Sequence, residues 1–312
     1  PIQPESNSYG TLQSYSHYRL TFPNELTQLT LSGNYMLSIT DSYGTELFSR
    51  RFVVYTPQVN VSAEVKRARD LKYYDTQQVV QFTINQKDFR LNNPQVAVKV
   101  AVLQNYRWDT AITGLKPQYI IGNELVYRYD RETAFWAGNE YFYFDSKDIR
   151  VAASGIARFT RDRLVGSYLF TNVSRANSVY TYYPDINGDF LITTVNGANP
   201  ANEADYTQVH FALEGKSTFW GKEVYVYGKF SNYELRDEYK LTYDEKDGLF
   251  KGKVLLKQCF YNYKFATKEG RTIDFNEIGG NFYQTENTYI ILVYYRAPGA
   301  LYDEVVGVGA TK

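Results

Sequence analysis

Between residues 222 and 266 the side chains change character at every second position, and that period leaves few folds open. Phe250, Gly252, Val254 and Leu256 fall on one side and Lys251, Lys253 and Lys257 on the other, as in a strand with one buried and one wet face. Val224-Tyr225-Val226-Tyr227, residues 239–243 and residues 261–265 form similar apolar-aromatic runs. Asp247-Gly248 lies between two such runs, and a tight hairpin turn needs residues that accept positive φ. The segment predicts a β-meander that forms half of a sandwich.

The same punctuation recurs along the chain, and no stretch shows a sustained helical period. Residues 18–22, 35–40 and 47–55 read as three strands separated by Ser32-Gly33-Asn34 and Ser42-Tyr43-Gly44. Three strands make a poor sandwich. Residues 1–56 are therefore expected to be an incomplete N-terminal β domain or an accessory sheet, bounded by Pro57.

Strands over 78–84, 95–104, 117–121, 124–129, 140–144, 166–171, 179–183 and 189–194 predict a central sandwich over 57–198. A loop at 196–202 leads to an immunoglobulin-like sandwich over 203–298. Residues 289–295 carry apolar side chains on both faces and should form a central strand; residues 299–312 read as a tail. The expected class is all-β, with tandem immunoglobulin-like or fibronectin III-like sandwiches. At Pro1 there is neither an initiator Met nor a signal peptide, which suggests a processed piece of a longer precursor.

Lys+Arg and Asp+Glu balance at 34 each, so no net field draws the chain to nucleic acid or to an anionic membrane. The longest apolar-aromatic run, 289–295, is too short for a spanning helix, which needs about 20 residues. Outer-face charges such as Arg50-Arg51 and the lysines of 251–257 argue against a lipid-facing barrel. Cys259 is the only cysteine, so packing has to replace intrachain disulfides. The 31 tyrosines are expected mostly on half-exposed sheet faces, where a ring can pack while its hydroxyl stays wet.

Chemistry-bearing patterns are scarce. His17 and His210 are the only histidines and read as hydrogen-bonded strand residues. A zinc site would want three or four His/Cys ligands, and with Cys259 only three such residues exist in the whole chain. No nucleophile elbow, Walker loop or dinucleotide fingerprint occurs. Asp185-Ile186-Asn187-Gly188-Asp189 imitates a calcium loop, but its Gly comes too early. Asn187-Gly188 reads better as a hairpin turn. No cofactor or metal is expected, and an enzyme built on a carboxylate pair has no motif in support.

Two resemblances bear on function. Residues 224–233, with the Phe230-Ser231-Asn232-Tyr233 turn, and Tyr261-Asn262-Tyr263-Lys264-Phe265 resemble the immunoglobulin-like glycogen- and starch-binding modules. That family usually has Trp where Tyr233 stands. Its paired sugar-binding Trp and Lys are not evident here, so a glucan-binding module protein is the alternative reading.

The longer resemblance rests on nine ordered segments: Tyr18-Arg19-Leu20-Thr21-Phe22-Pro23-Asn24-Glu25, Ser32-Gly33-Asn34-Tyr35, Arg51-Phe52-Val53-Val54-Tyr55, Phe82-Thr83-Ile84-Asn85 and Leu103-Gln104-Asn105-Tyr106-Arg107-Trp108-Asp109, then Gly138-Asn139-Glu140-Tyr141-Phe142-Tyr143-Phe144-Asp145, Leu255-Leu256-Lys257-Gln258, Gly280-Asn281-Phe282-Tyr283-Gln284-Thr285-Glu286-Asn287 and Val293-Tyr294-Tyr295-Arg296. Together they look like the plug protein family of the type IX secretion system, across nearly the whole chain. The family carries Gly where this chain has Cys259, and the resemblance implies an upstream segment, in keeping with the expectation of an incomplete first block.

That resemblance implies a non-enzymatic periplasmic protein at the inner face of the outer membrane. Its partner would be the large outer-membrane β-barrel translocon subunit, whose pore it plugs. It implies no nucleic acid, and membrane association only through the partner. Trp136, Tyr141, Tyr143, Trp220 and Tyr233 lie near turns or on strands flanked by polar residues and are the candidate partner contacts.

Overall fold

A computed structural model describes residues 2–87, 89–152, 154–195 and 197–311. Asn196, in the expected 196–202 loop, lies outside them. Strands make up 46% of the chain and helix 6%, so the all-β expectation holds. The chain forms two compact units, each drawn from two separate stretches: residues 1–20 with 137–286, and residues 21–136 with 287–312.

This division differs from the consecutive blocks expected over 57–198 and 203–298. Strand Tyr289–Tyr295 pairs along its whole length with Val98–Gln104, for example Ile291 opposite Val102. The expected tail contains strand Glu304–Ala310, which pairs with Tyr289–Tyr295 on its other side. Phe142–Asp145 pairs with Cys259–Glu269. Alternation reports which face of a strand is buried and carries no address for its partner.

In the 21–136/287–312 unit, one sheet orders Ala134–Trp136, Gln77–Asn85, Glu124–Tyr127 and Tyr119–Ile121, with Asn60–Arg67 also on Gln77–Asn85. The other orders Glu304–Ala310, Tyr289–Tyr295, Val98–Gln104 and Arg107–Thr113. Phe82, Ile84, Leu125 and Tyr127 from the first meet Val98, Val100, Val102, Tyr289, Ile291 and Val293 from the second in one core. The central position expected for 289–295 is correct. Its opposite face buries Ile290 and Leu292 with Ala101 and Leu103, under Val53 and Trp108.

In the 1–20/137–286 unit, strands Glu223–Tyr227, Lys240–Asp244 and Leu249–Lys257 follow one another as a meander. Cys259–Glu269 does not extend it and instead crosses back to pair with Glu223–Tyr227. Phe250, Val254 and Leu256 are buried as the alternation requires, with Val209, Phe211, Leu213, Tyr261, Tyr263 and Phe265. Gly248 takes φ +68 in the expected turn. Tyrosines contribute more to the cores than expected: Tyr127, Tyr225, Tyr227, Tyr261, Tyr263 and Tyr289 are each 3% exposed or less.

Candidate interaction surfaces

Within the 1–20/137–286 unit, residues 170–189 run as a strap with one isolated bridge, Asn172 to Leu213, and no strand. The strand expected at 179–183 is not formed. Backbone polar groups without a ladder need other partners, and side chains supply them here. Asn262 Oδ1 accepts from Ile186 N at 2.6 Å. Asp185 accepts from Tyr141 N at 2.6 Å and from Asn187 N at 2.7 Å. The expected turn does form, with φ 53 at Asn187 and φ 84 at Gly188. The Asp185 carboxylate is occupied by backbone N–H groups, and no cluster of metal-ligating groups occurs among the described residues.

Glu140 anchors the strap from below. Its carboxylate accepts from Tyr180 Oη at 2.5 Å and from Glu286 N at 3.1 Å. The Arg175 guanidinium donates to the Glu140 carbonyl and lies 3.8 Å over the Phe142 ring. Burial pushes the Glu140 carboxyl above its ordinary range, against the pull of these two hydrogen bonds. Here the ionisable groups hold backbone in place.

The candidate contacts do not form one site. Trp220, after the short helix Ser217–Phe219, is 66% exposed, and Tyr143 is 39% exposed and stacks on Phe260 at 5.7 Å. Tyr233 is half-buried, and its hydroxyl donates to the Asn187 carbonyl at 3.4 Å. Tyr141 is 3% exposed, with Lys264 Nζ 4.0 Å from its ring centre. Its expected surface position is therefore corrected: the ring lies under the Gly188 turn, where a Cβ would come within 2.6 Å of it. Trp136 belongs to the other unit, is 49% exposed and meets Tyr73 edge-on at 5.6 Å.

One apolar surface was not singled out from the sequence. In the 21–136/287–312 unit, Gly33–Thr40 and Glu46–Val54 form a two-stranded ribbon. Its register places Tyr35, Leu37, Ile39, Phe48 and Phe52 on one face, none of them fully buried. Phe22 reaches Phe52 at 5.1 Å, and Tyr35 stacks on Phe52 at 5.3 Å. The ribbon is anchored at its base, where Tyr294 Oη donates to Asn34 at 2.9 Å and Arg51 lies 4.7 Å over Trp108. The alternation of residues 35–39 was visible in the sequence, but the cross-strand partners were not.

Residues 1–56 match the family model described as the type 9 secretion system plug protein 1st domain. The chain is also similar to a hypothetical protein from Parabacteroides merdae ATCC 43184, known from a crystal structure. The two are 35% identical with a TM-score of 0.92, over 98% of this chain and 78% of that one. The chain belongs to the type 9 secretion system plug family. None of the curated proteins matches it.

As a plug-family member it carries the matched first-domain region in two places. Strands Pro4–Asn7 and Ser16–Tyr18 lie in one unit, and the ribbon lies in the other. Two of the ordered family segments also meet in space: Gly138 N donates to Asn281 Oδ1 at 2.9 Å, and Thr285 Oγ1 donates to the Gly138 carbonyl at 2.8 Å. They frame the Glu140 anchor.

Proposed function

We propose that this plug-family protein is a non-enzymatic component of the type IX secretion machinery that binds the periplasmic side of the outer-membrane translocon barrel and closes its pore. The observation that carries the reading is the match of residues 1–56 to the plug first domain. Exposed aromatic side chains such as Trp136 and Trp220 supply anchors of the kind that dominate protein interfaces, each worth about 2 kcal/mol or more when central. A stopper of this kind buries roughly 1,600 Å² or more against its partner. No helix among the described residues is long and apolar enough to cross a membrane. In this reading the protein sits at the inner face of the outer membrane and is held there by its partner.

Co-purification tests it. In mild detergent extracts of the outer membrane, the tagged chain is expected to bring down a large β-barrel, and Trp136→Ala with Trp220→Ala to weaken recovery. Recovery of the chain alone from every extract would overturn the reading.

A further inference from the structure

The outer face of the sheet built on Leu249–Lys257 carries unmatched positive charge. Three lysines of that strand point outward. Lys251 is paired with Asp244 at 3.0 Å and with Asp247. Lys257 donates to the Ala201 carbonyl at 2.6 Å and lies 4.1 Å over the Tyr15 ring. Lys253, between them, is exposed, and its side chain has no ion-pair or hydrogen-bond partner among the described residues.

Lys253 ends a row across four strands. The register places it opposite His210, His210 beside Tyr168, and Tyr168 opposite Arg158. Tyr168 and His210 are stacked at 4.0 Å with 7° between their planes, and the Arg158 guanidinium lies 3.6 Å over the Tyr168 ring. Arg158 is exposed and has no carboxylate within ion-pair distance among the described residues. Burial and the two cations, Lys253 and Arg158, all push the His210 imidazole below its ordinary value. Leu255, 49% exposed, borders the row on the same face.

We propose that this face docks an acidic segment of a partner polypeptide, with carboxylates meeting Arg158 and Lys253 and apolar side chains covering Tyr168 and Leu255. Charge complementarity selects an anionic partner. The row spans three strand spacings, about 14 Å, so one small anion cannot meet both ends. Two free cations are few for a phosphate backbone or a lipid surface, which are held by many. Arg and Tyr are enriched in protein interfaces relative to the rest of the surface. The proposal goes beyond the pore-closing reading and does not depend on it.

The test uses the full chain and a labelled peptide of alternating Glu and Leu, read by fluorescence anisotropy. Saturable binding that weakens with added salt is expected. Arg158→Gln with Lys253→Gln should weaken it about tenfold or more, and Arg158→Glu with Lys253→Glu should abolish it. Lys240→Gln, which removes a lysine already paired with Glu223, should leave binding unchanged. In the unmutated chain, peptide should shift the His210 imidazole resonances and leave those of His17 in place, a readout that needs no variant. The proposal is overturned if no saturable binding occurs, if the Gln pair binds as the unmutated chain does, or if His210 does not respond. Tighter binding of an oligonucleotide or of phosphatidylglycerol vesicles than of the peptide would also overturn it.

Discussion

At the scale of one residue, Glu140 links sequence motif to stability. Burial is the largest influence on its carboxyl and raises it, and Asp185 adds to the rise. Tyr180, Glu286 and Lys264 pull the other way. A raised folded-state value means that the native protein holds this proton more tightly than the unfolded chain does. The associated stability is complete below the ordinary value of 4.5 and is lost as pH rises through the raised one. Glu140→Gln, which imitates the neutral acid, should flatten that dependence, so its melting temperature should gain on that of the unmutated protein as pH rises through this window. Parallel melting profiles across the window would show that Glu140 titrates as an ordinary carboxyl. Glu140→Ala, which deprives the Glu286 N–H of its acceptor, should cost about 1–3 kcal/mol at any pH.

At the scale of an element, the last strand shows how glycine sets the distance between sheets. A Cβ on Gly309 would lie 2.6 Å from Val61 Cγ1, 2.7 Å from its Cβ and 3.1 Å from its carbonyl oxygen. Rotating the Val61 side chain cannot relieve contact with its Cβ or backbone. Gly309→Ala should therefore lower stability by about 1–3 kcal/mol through overpacking, measured by urea unfolding. An unchanged midpoint would mean that the sheet on which Asn60–Arg67 lies can move away freely. In the sequence the same segment reads as a tail because it is short and follows Pro298. Similarly, Arg107–Thr113 was not expected, although its turn is a two-residue link at Asn105 and Tyr106 with φ 51 and 61. An aromatic residue in the left-handed region is a weak turn signal because its Cβ disfavours that conformation.

At the scale of the whole molecule, each unit is closed by chain from two places, and this makes a prediction about independent folding. Trp136 pairs with Gln77, and the Asn287 side-chain amide donates to the Gln78 side chain at 3.0 Å, so the two ends of the interruption both lie beside the start of Gln77–Asn85. Residues 21–136 joined by a short flexible linker to 287–312 should unfold cooperatively. Residues 21–136 alone, which lack Tyr289, Ile291, Val293 and Tyr295, should not. A cooperative transition of the shorter piece, followed by circular dichroism, would contradict this division.

The sequence by itself determined that the chain is all-β, where most strands run, which face of Leu249–Lys257 is buried and that Tyr289–Tyr295 is central. Each follows from an alternation confined to a few neighbouring residues. It also carried the plug-family segments, read in order. Only the tertiary structure decided that Val98–Gln104 belongs with the last two strands, that Tyr141 is buried under a glycine turn and that residues 170–189 are a strap. It alone placed Arg158, Tyr168, His210 and Lys253 in one row. Pairing between distant strands depends on the fit of many side chains at once, and lengthening the intervening chain adds only slowly to the cost of closing it. Distance along the sequence therefore leaves little trace of which strands will meet.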